Sequence, residues 1–198
     1  MEKVKAVKLS RALGVALTAK AARFMEKRPY GPGQHGKGKR PTQSNFGKQL
    51  LEKQRLKAQY NVTEKQLRNY FQQAFKLKGS TGTNMLRLLE SRLDMTILRA
   101  GFAPTIYAAR QMVSHGHITV NGKRVNKPAF KVKIGAIVTP SEKGKKHPLI
   151  TSTVASSIIP GFISLDKSTL TASFQYLPER QEIPITCDEQ MVVEFYSR

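Results

Sequence analysis

Gly31-x-Gly33-x-x-Gly36 has the spacing with which a glycine loop brings backbone N–H groups up to a pyrophosphate, and His115 and His117, flanking Gly116, could share a metal ion. Neither group has the neighbours its chemistry needs. No strand leads into the glycines, Pro32 stands among them, and Lys37-Gly38-Lys39-Arg40-Pro41 follows where a phosphate-binding helix would start. No Cys, Asp or Glu lies near the histidine pair, so hydrogen bonding to RNA phosphates or base edges suits it better than a metal, with a purely structural role as the alternative. The aspartates are Asp94, Asp166 and Asp188 alone, and no Ser, His and carboxylate grouping sits beside a glycine-rich nucleophile turn. No catalytic constellation emerges, and no metal or other cofactor is expected. Asp94, close to Arg92 and Arg99, reads as the orienter of an arginine or the end of a helical turn rather than as a general base.

Cations are what the chain has in abundance. Lys and Arg number 34 against 13 Asp and Glu, a net charge of +21 over 198 residues, which a folded chain tolerates most easily beside nucleic acid. A membrane surface fits less well, because no stretch approaches the roughly 18 apolar residues of a span and the basic residues are spread over helices and loops. The charge is graded along the chain. Residues 1–60 hold 15 basic and 3 acidic residues, net +12; residues 61–147 hold 16 and 4, again +12; residues 148–198 hold 3 and 6, net −3. The first three quarters are therefore expected to face RNA and the last quarter to meet protein. The 31 Lys and Arg of the first 147 positions are interleaved with Tyr, His, Asn and Thr, which bond phosphates and stack on bases. Cys187 is the only cysteine, which excludes an internal disulfide and a thiolate zinc cluster and suits a reducing compartment. The opening residues hold no apolar run of signal-peptide length, while Arg11, Lys20 and Arg23 among alanines are compatible with an organelle-targeting segment.

These side chains need elements to position them. Three prolines and four glycines make residues 28–41 an extended basic loop carrying Lys37, Lys39 and Arg40. Residues 44–60 read as a helix bearing Lys48, Lys53, Arg55 and Lys57, its apolar spacing set by Phe46, Leu50 and Leu51. A second helix is capped by Thr63 with Gln66, carries Arg68, stripes Leu67, Tyr70, Phe71, Ala74 and Phe75 along one side, and closes at Gly79. The polar turn 79–83 marks a boundary near residue 84. Beyond it Met85, Leu89, Leu93 and Ile97 recur every four residues, predicting one helix that ends at Gly101, with Arg92 and Arg99 together on another face. Thr105 starts the next helix, with Ala109, Met112 and Val113 toward a core and Tyr107, Arg110 and Ser114 on a separate face. Residues 117–120 alternate, Asn121-Gly122 is a strong two-residue hairpin signal, and Lys123-Arg124-Val125 starts the return strand. Phe130, Val132 and Ile134 alternate with Lys131 and Lys133 before a turn at Gly135 and a continuation through Ile137-Val138. Residues 141–157 read as a loop, 162–165 as a short strand, and 191–196 as a buried strand or short helix. The class is α+β, with helices preceding a small, mainly antiparallel sheet.

Several of these segments resemble one family. Arg28-Pro29-Tyr30-Gly31-Pro32-Gly33-Gln34-His35-Gly36, Gln49-Leu50-Leu51-Glu52-Lys53-Gln54-Arg55-Leu56-Lys57 and Leu88-Leu89-Glu90-Ser91-Arg92-Leu93-Asp94 look like small-subunit ribosomal protein four. The strongest likeness is Ala108-Ala109-Arg110-Gln111-Met112-Val113-Ser114-His115-Gly116-His117-Ile118-Thr119-Val120-Asn121-Gly122, which resembles the signature of that family's RNA-binding domain. Pro178-Glu179-Arg180 and Val193-Glu194-Phe195-Tyr196-Ser197-Arg198 resemble its ending.

The resemblance implies a non-enzymatic primary binder of small-subunit ribosomal RNA that docks on a junction in the 5′ domain and nucleates assembly. It implies an RNA-binding domain, residues 85–177 with core 85–138, inserted in an N-terminal helical domain, residues 1–84, that residues 178–198 complete. By the same likeness Lys37, Lys39 and Arg40 lie near the channel through which mRNA enters, and the acidic last quarter, with Glu179 and Glu182, meets neighbouring ribosomal protein five at an interface tied to decoding accuracy. The RNA contacts are then expected from Lys48, Lys53, Arg55, Lys57, Arg68, Arg92, Arg99, Thr105, Tyr107, Arg110, Ser114, His115, His117, Asn121, Lys123 and Arg124. No membrane or small-molecule partner is implied, and the expected location is a cytoplasmic or organellar ribosome. Two departures stand out: residues 1–27 lack the zinc-holding cysteines of many members, and Ala136 replaces the usual acidic or polar residue after the glycine. An RNA-modifying enzyme that borrows the same module is the main rival, but the remaining residues offer too little acidic or nucleophilic chemistry for a catalytic domain. A free-standing stress protein that binds ribosomal RNA transiently is the second.

Overall fold

The computed structural model describes residues 5–38, 43–156 and 158–198, so Lys39, Arg40 and Pro41 of the basic loop lie outside the described residues. Two compact units divide the chain, Met1–Arg68 with Ile185–Arg198, and Asn69–Pro184.

In the first unit, α1 (Ala6–Leu13) and α2 (Ala19–Lys27) occupy the Ala-rich opening, for which the sequence pattern suggested no elements. Thr18 caps α2 by accepting the N–H of Ala21 at 3.1 Å, and Ser10 accepts that of Leu17 at 3.1 Å, fixing the intervening turn. The following loop contains one tight turn at Gln34–Lys37. Arg11 ties this loop to α1 by donating to the carbonyls of Tyr30 at 3.1 Å and Gly31 at 2.9 Å while its guanidinium lies 5.0 Å from the Tyr30 ring centre.

Helix α3 (Asn45–Gln59) begins at Ser44, as expected, but its buried face is not the one the apolar spacing suggested. Phe46 is 48% exposed, whereas Gln49, Glu52, Lys53 and Leu56 are buried. The reason is α10 (Glu189–Tyr196), which packs along α3 and supplies partners for polar groups. Gln49 donates to Glu194 at 2.8 Å, Glu52 accepts the N–H of Asp188 at 3.0 Å, and Lys53 lies 4.4 Å from the Phe195 ring centre. Residues 188–195 thus supply partners to Gln49, Glu52 and Lys53, while Lys53 takes its ion pair from Glu64 and Gln49 Oε1 stays buried without a hydrogen-bond partner among the described residues.

Helix α4 (Glu64–Phe75) has the expected reciprocal cap: Thr63 and Gln66 exchange bonds of 3.1 and 3.3 Å. Leu67, Phe71 and Ala74 are buried, but Phe75 is 68% exposed and leaves the predicted stripe.

The second unit takes in the later part of α4 and then α5 (Thr81–Glu90) and α6 (Leu93–Arg99), where the four-residue spacing predicted one helix. The chain breaks at Arg92, whose extended backbone starts α6. Backbone from the 128–132 segment seals the break: the N–H groups of Leu93 and Asp94 reach the carbonyls of Phe130 at 2.8 Å and Pro128 at 3.1 Å, and the N–H of Val132 reaches the carbonyl of Ser91 at 2.8 Å. These bonds explain why the expected strand at 130–134 does not form, since backbone groups that cap a helix junction cannot also join a sheet ladder. Only an isolated bridge between Arg92 and Lys131 remains, and Phe130 and Ile134 are exposed.

Helix α7 (Ile106–Ser114) and five short strands complete the core: β1 (Ile118–Val120), β2 (Lys123–Arg124), β3 (Ile137–Pro140), β4 (Ile163–Asp166) and β5 (Thr171–Phe174). They form one antiparallel sheet in the order β2-β1-β3-β5-β4, in keeping with the α+β expectation. Leu93 and Ile97 of α6, Ala109, Met112 and Val113 of α7 and the inward residues Ile118, Val120, Val138, Ala172 and Phe174 are buried in one cluster that Phe162 and Ile150 join. Residues 141–157 are not simply a loop, for they carry α8 (Glu142–Lys145), capped by Ser141, and α9 (Pro148–Ser156).

Candidate nucleic-acid interface

Helix α7 presents two kinds of face because Ala109, Met112 and Val113 are anchored in the core, which leaves Ser114 exposed and Arg110 at the edge of the core, its side chain 20% exposed. Thr105 is its cap, accepting the N–H of Ala108 at 3.2 Å, and the Tyr107 hydroxyl is pushed to a higher pKa by partial burial. Ser114 donates to the Arg110 carbonyl at 2.9 Å. Arg110 in turn donates to Asp94 at 3.0 Å, and Asp94 is also gripped by Arg92. Asp94 therefore orients two arginines, one of the roles expected for it. A single buried carboxylate faces two guanidinium groups, so the cluster keeps a net positive charge, which reaches solvent through Arg110, 20% exposed against 1% for Arg92.

The β1–β2 hairpin turns through Asn121 and Gly122, both at positive φ, with Val120 opposite Lys123. Asn121 is partly structural, its Oδ1 accepting the N–H of Ile137 at 2.8 Å. Lys123 and Arg124 are exposed, and Arg124 reaches the His115 carbonyl at 3.1 Å. The His115 and His117 ring centres lie 6.0 Å apart, and His117 is 5.8 Å from His147. A cleft of about 540 Å³ opens here, lined by His115, Gly116, His117, Arg124, Ser141, Glu142 and Lys143, with the His147 ring behind His117. Burial, then the neighbouring imidazoles and cations, push the pKa of His117 below its ordinary value.

In the first unit Lys48 and Arg68 are exposed, and so is Lys37, whose amine lies 5.5 Å from the Tyr30 ring centre. Lys53 is only 6% exposed and bonds Glu64 at 3.0 Å; Lys57 lies 3.6 Å from the same carboxylate. Arg55 pairs with Glu52 and donates to the Leu13 carbonyl at 2.7 Å. A basic cleft of about 670 Å³ opens beside α1, lined by Lys5, Lys8, Arg11, Thr18, Lys20, Pro32 and Gly33 among others. Sequence reasoning missed these cations as a group, although Lys5, Lys8 and Arg11 stand three apart on what the structure shows to be the lead-in and first two turns of one helix.

Residues 2–90 match the family model described as the ribosomal protein S4/S9 N-terminal domain, and residues 91–138 match the S4 domain. The chain is similar to the small ribosomal subunit protein uS4 of Micrococcus luteus, with 48% identity over 198 residues covering 97% of this chain and 95% of that one. It is also similar to the proteins of that name from Arthrobacter sp. (strain FB24), 46% identical over 96% of this chain and 95% of that one, and from Streptomyces avermitilis, 46% identical over 97% and 96%. The chain belongs to the uS4 family.

Within this uS4 chain the S4 domain match runs from Ser91 to Val138 and so includes Asp94, Arg110, both hairpin cations and two of the three clustered histidines. The structure gathers Arg110, Ser114, His115, His117, Lys123 and Arg124 on α7 and the adjoining hairpin, but it does not bring Arg92 and Arg99 together on an exposed face. Arg92 is 1% exposed and bonds Asp94 and, at 3.0 Å, the Tyr70 hydroxyl, so it is withdrawn from any ligand. Arg99 makes a two-toothed pair with buried Glu90 at 3.0 and 2.8 Å. Glu179 and Glu182 cap one another's backbone at the short turn Arg180–Glu182, and Tyr176 also donates to Glu182. Among the described residues no group of three or more His, Cys, Asp or Glu is placed to hold a metal ion, and no helix is long and apolar enough to cross a membrane.

Proposed function

We propose that this uS4 chain acts as a primary binder of small-subunit ribosomal RNA, using the partly exposed Arg110 of α7, the exposed cations of the β1–β2 hairpin, Lys48 of α3 and the cleft beside α1. As a uS4 protein it is a structural, RNA-binding component of the small ribosomal subunit and not an enzyme. The observation that carries the RNA reading is how the charges are sorted. Among the described residues up to 147, Glu52, Glu90 and Asp94 are buried and Glu64 is paired with Lys53 and Lys57. Exposed acids there are Glu26 and Glu142, so the cations of that region that are not paired with the buried acids face solvent with few opposite charges among them.

On this reading binding takes place at a junction in the 5′ domain and nucleates subunit assembly, and Lys37, Lys39 and Arg40 lie near the path of incoming mRNA. Glu179 and Glu182, in the net-negative last quarter, face neighbouring ribosomal protein five and so influence decoding accuracy. The functional domains divide near residues 84 and 178, with 85–138 as the RNA-binding core. The named relatives are bacterial, which favours a cytoplasmic ribosome over an organellar one. Equilibrium binding of the purified chain to small-subunit ribosomal RNA over a salt series tests this. If about six phosphates are neutralised, log K falls against log salt with a slope near −5, and a slope shallower than about −2 would mean that these charges do not meet phosphate.

A further inference from the structure

We propose that His115, His117 and His147, with Arg124 and Lys143, form a phosphate-binding cleft whose occupation by RNA is coupled to uptake of a proton by His117. The inference rests on the RNA reading of the α7 and hairpin face and adds to it a regulation and two residues, Lys143 and His147, that lie beyond the S4 domain match.

The cleft is a constructed feature. Gly116 has φ +69°, and a Cβ there would stand 2.0 Å from Nε of Arg124, so the missing side chain lets the guanidinium lie over the backbone. A Cβ at Gly144 would stand 2.4 Å from the carbonyl oxygen of His117, so glycine is what allows α8 to press against the backbone of His117, just before β1, and bring Lys143 and His147 beside that residue. The N–H of Ser141 donates to the same carbonyl at 2.8 Å and fixes the approach. His117 thus sits between two other imidazoles, at 6.0 and 5.8 Å, each delivered by a different segment.

Charge decides what such a cleft takes. Arg124 and Lys143 are fixed positive charges, and the acid in the lining, Glu142, is exposed and bonds Lys145 at 2.9 Å. His147 accepts the N–H of Leu149 on Nδ1 at 3.3 Å, which leaves its ring proton on Nε2 as a donor. An anion with several acceptor oxygens fits this set, and an RNA phosphate is that anion. In the free protein a proton on His117 is opposed by burial and then by His147, His115, Arg124 and Lys143. A phosphate arriving among them reverses the sign of the local field and favours the imidazolium. Affinity therefore rises as pH falls through neutrality and levels off once the free protein also binds the proton, below about pH 6.5.

The test uses the full chain, purified small-subunit ribosomal RNA and fixed salt. One proton taken up per complex changes affinity by at most about tenfold per pH unit, so a rise of roughly threefold to tenfold is expected between about pH 8 and about pH 6. Calorimetry near neutral pH in buffers of unequal ionisation heat should read net proton uptake. His117→Gln should abolish most of that uptake while still binding RNA at the higher pH, and His35→Gln should retain it. His147→Gln, which leaves β1 untouched, should reduce it and guards against a misfolded His117 variant. Proton-independent binding by the wild type, or undiminished uptake in both the His117 and His147 variants, overturns the proposal and leaves the RNA reading standing. Failure to bind this RNA at any pH overturns both.

Discussion

Arg92 grips Asp94 with two bonds, Nε to Oδ1 at 2.9 Å and Nη2 to Oδ2 at 2.5 Å, and neither side chain meets solvent. The pair stands at the break between α5 and α6, and Oδ2 also receives Arg110 at 3.0 Å. One buried carboxylate therefore fixes the helix junction and aims a cation on the exposed side of α7. Its two arginines differ in reach, Arg92 being wholly buried and Arg110 meeting solvent at one edge.

Removing the carboxylate should unfold what removing the outer arginine does not. Asp94→Ala leaves Arg92 charged and buried without its partner, at a cost of about 3–5 kcal/mol in denaturant unfolding. Arg110→Ala, which removes a mostly buried group but leaves Asp94 its two bonds from Arg92, should cost about 1–2 kcal/mol, less than Asp94→Ala, while weakening RNA binding. Met112→Asp, placing a charge in the core, should unfold the module. A strongly destabilised Arg110→Ala with unchanged affinity per folded molecule would assign Arg110 to structure alone.

The sequence made the locally coded features legible and concealed the ones set by distant backbone. Thr63 with Gln66, Thr105, and Asn121-Gly122 act through bonds or φ preferences within a few residues, and all three stand where expected. The α5–α6 break carries no such signal, because it depends on Phe130, Pro128 and Val132, 34 to 41 positions away from the groups they bond. The buried polar face of α3 was hidden for the same reason, its partners being Asp188, Glu194 and Phe195. Strand β5 begins after Leu170 at positive φ, which pattern alone does not announce. In the candidate site the α7 and hairpin cations were readable from periodicity. The withdrawal of Arg92 and the arrival of His147 were not, since each depends on tertiary packing.

Gly116→Ala should cost about 1–2 kcal/mol, because alanine resists the left-handed conformation that glycine adopts freely there. The new methyl would also displace Arg124, so thermal melting and RNA affinity should fall together. An unchanged affinity would show that Arg124 does not meet RNA from its position over Gly116.

The junction of α10 with the start of α4 should be sensitive to acid. Partial burial raises the pKa of Glu64, but the hydrogen bonds from Tyr196 at 2.7 Å and Lys53, with the charges of Lys53 and Lys57, outweigh it and leave the carboxylate below its usual range. A depressed carboxylate contributes stability that is complete above its unfolded pKa, about 4.3, and is lost as pH falls through the folded value. Amide exchange in α10 should accelerate over that window. Tyr196→Phe should flatten this response and cost about 1 kcal/mol at neutral pH; exchange that ignores acid in the wild type would deny Glu64 this role.

Charge reversal at Glu179 should leave affinity for naked ribosomal RNA nearly unchanged while altering translational misreading, if this turn faces a basic protein neighbour. Glu182 is the poorer probe because it also accepts from Tyr176 and from the Glu179 N–H. Lost RNA affinity refutes the charge argument, and unchanged fidelity with unchanged affinity leaves these acids serving only the turn.

That this chain is a structural constituent of the small ribosomal subunit is tested most directly by co-sedimentation. Small subunits purified from cells expressing the tagged chain are washed at moderate salt, and the protein is quantified against ribosomal RNA. A constituent remains at one copy per subunit through the wash. A chain that is substoichiometric before the wash and released by it would instead be a transient RNA binder or a modifying factor, which contradicts a structural place in the subunit.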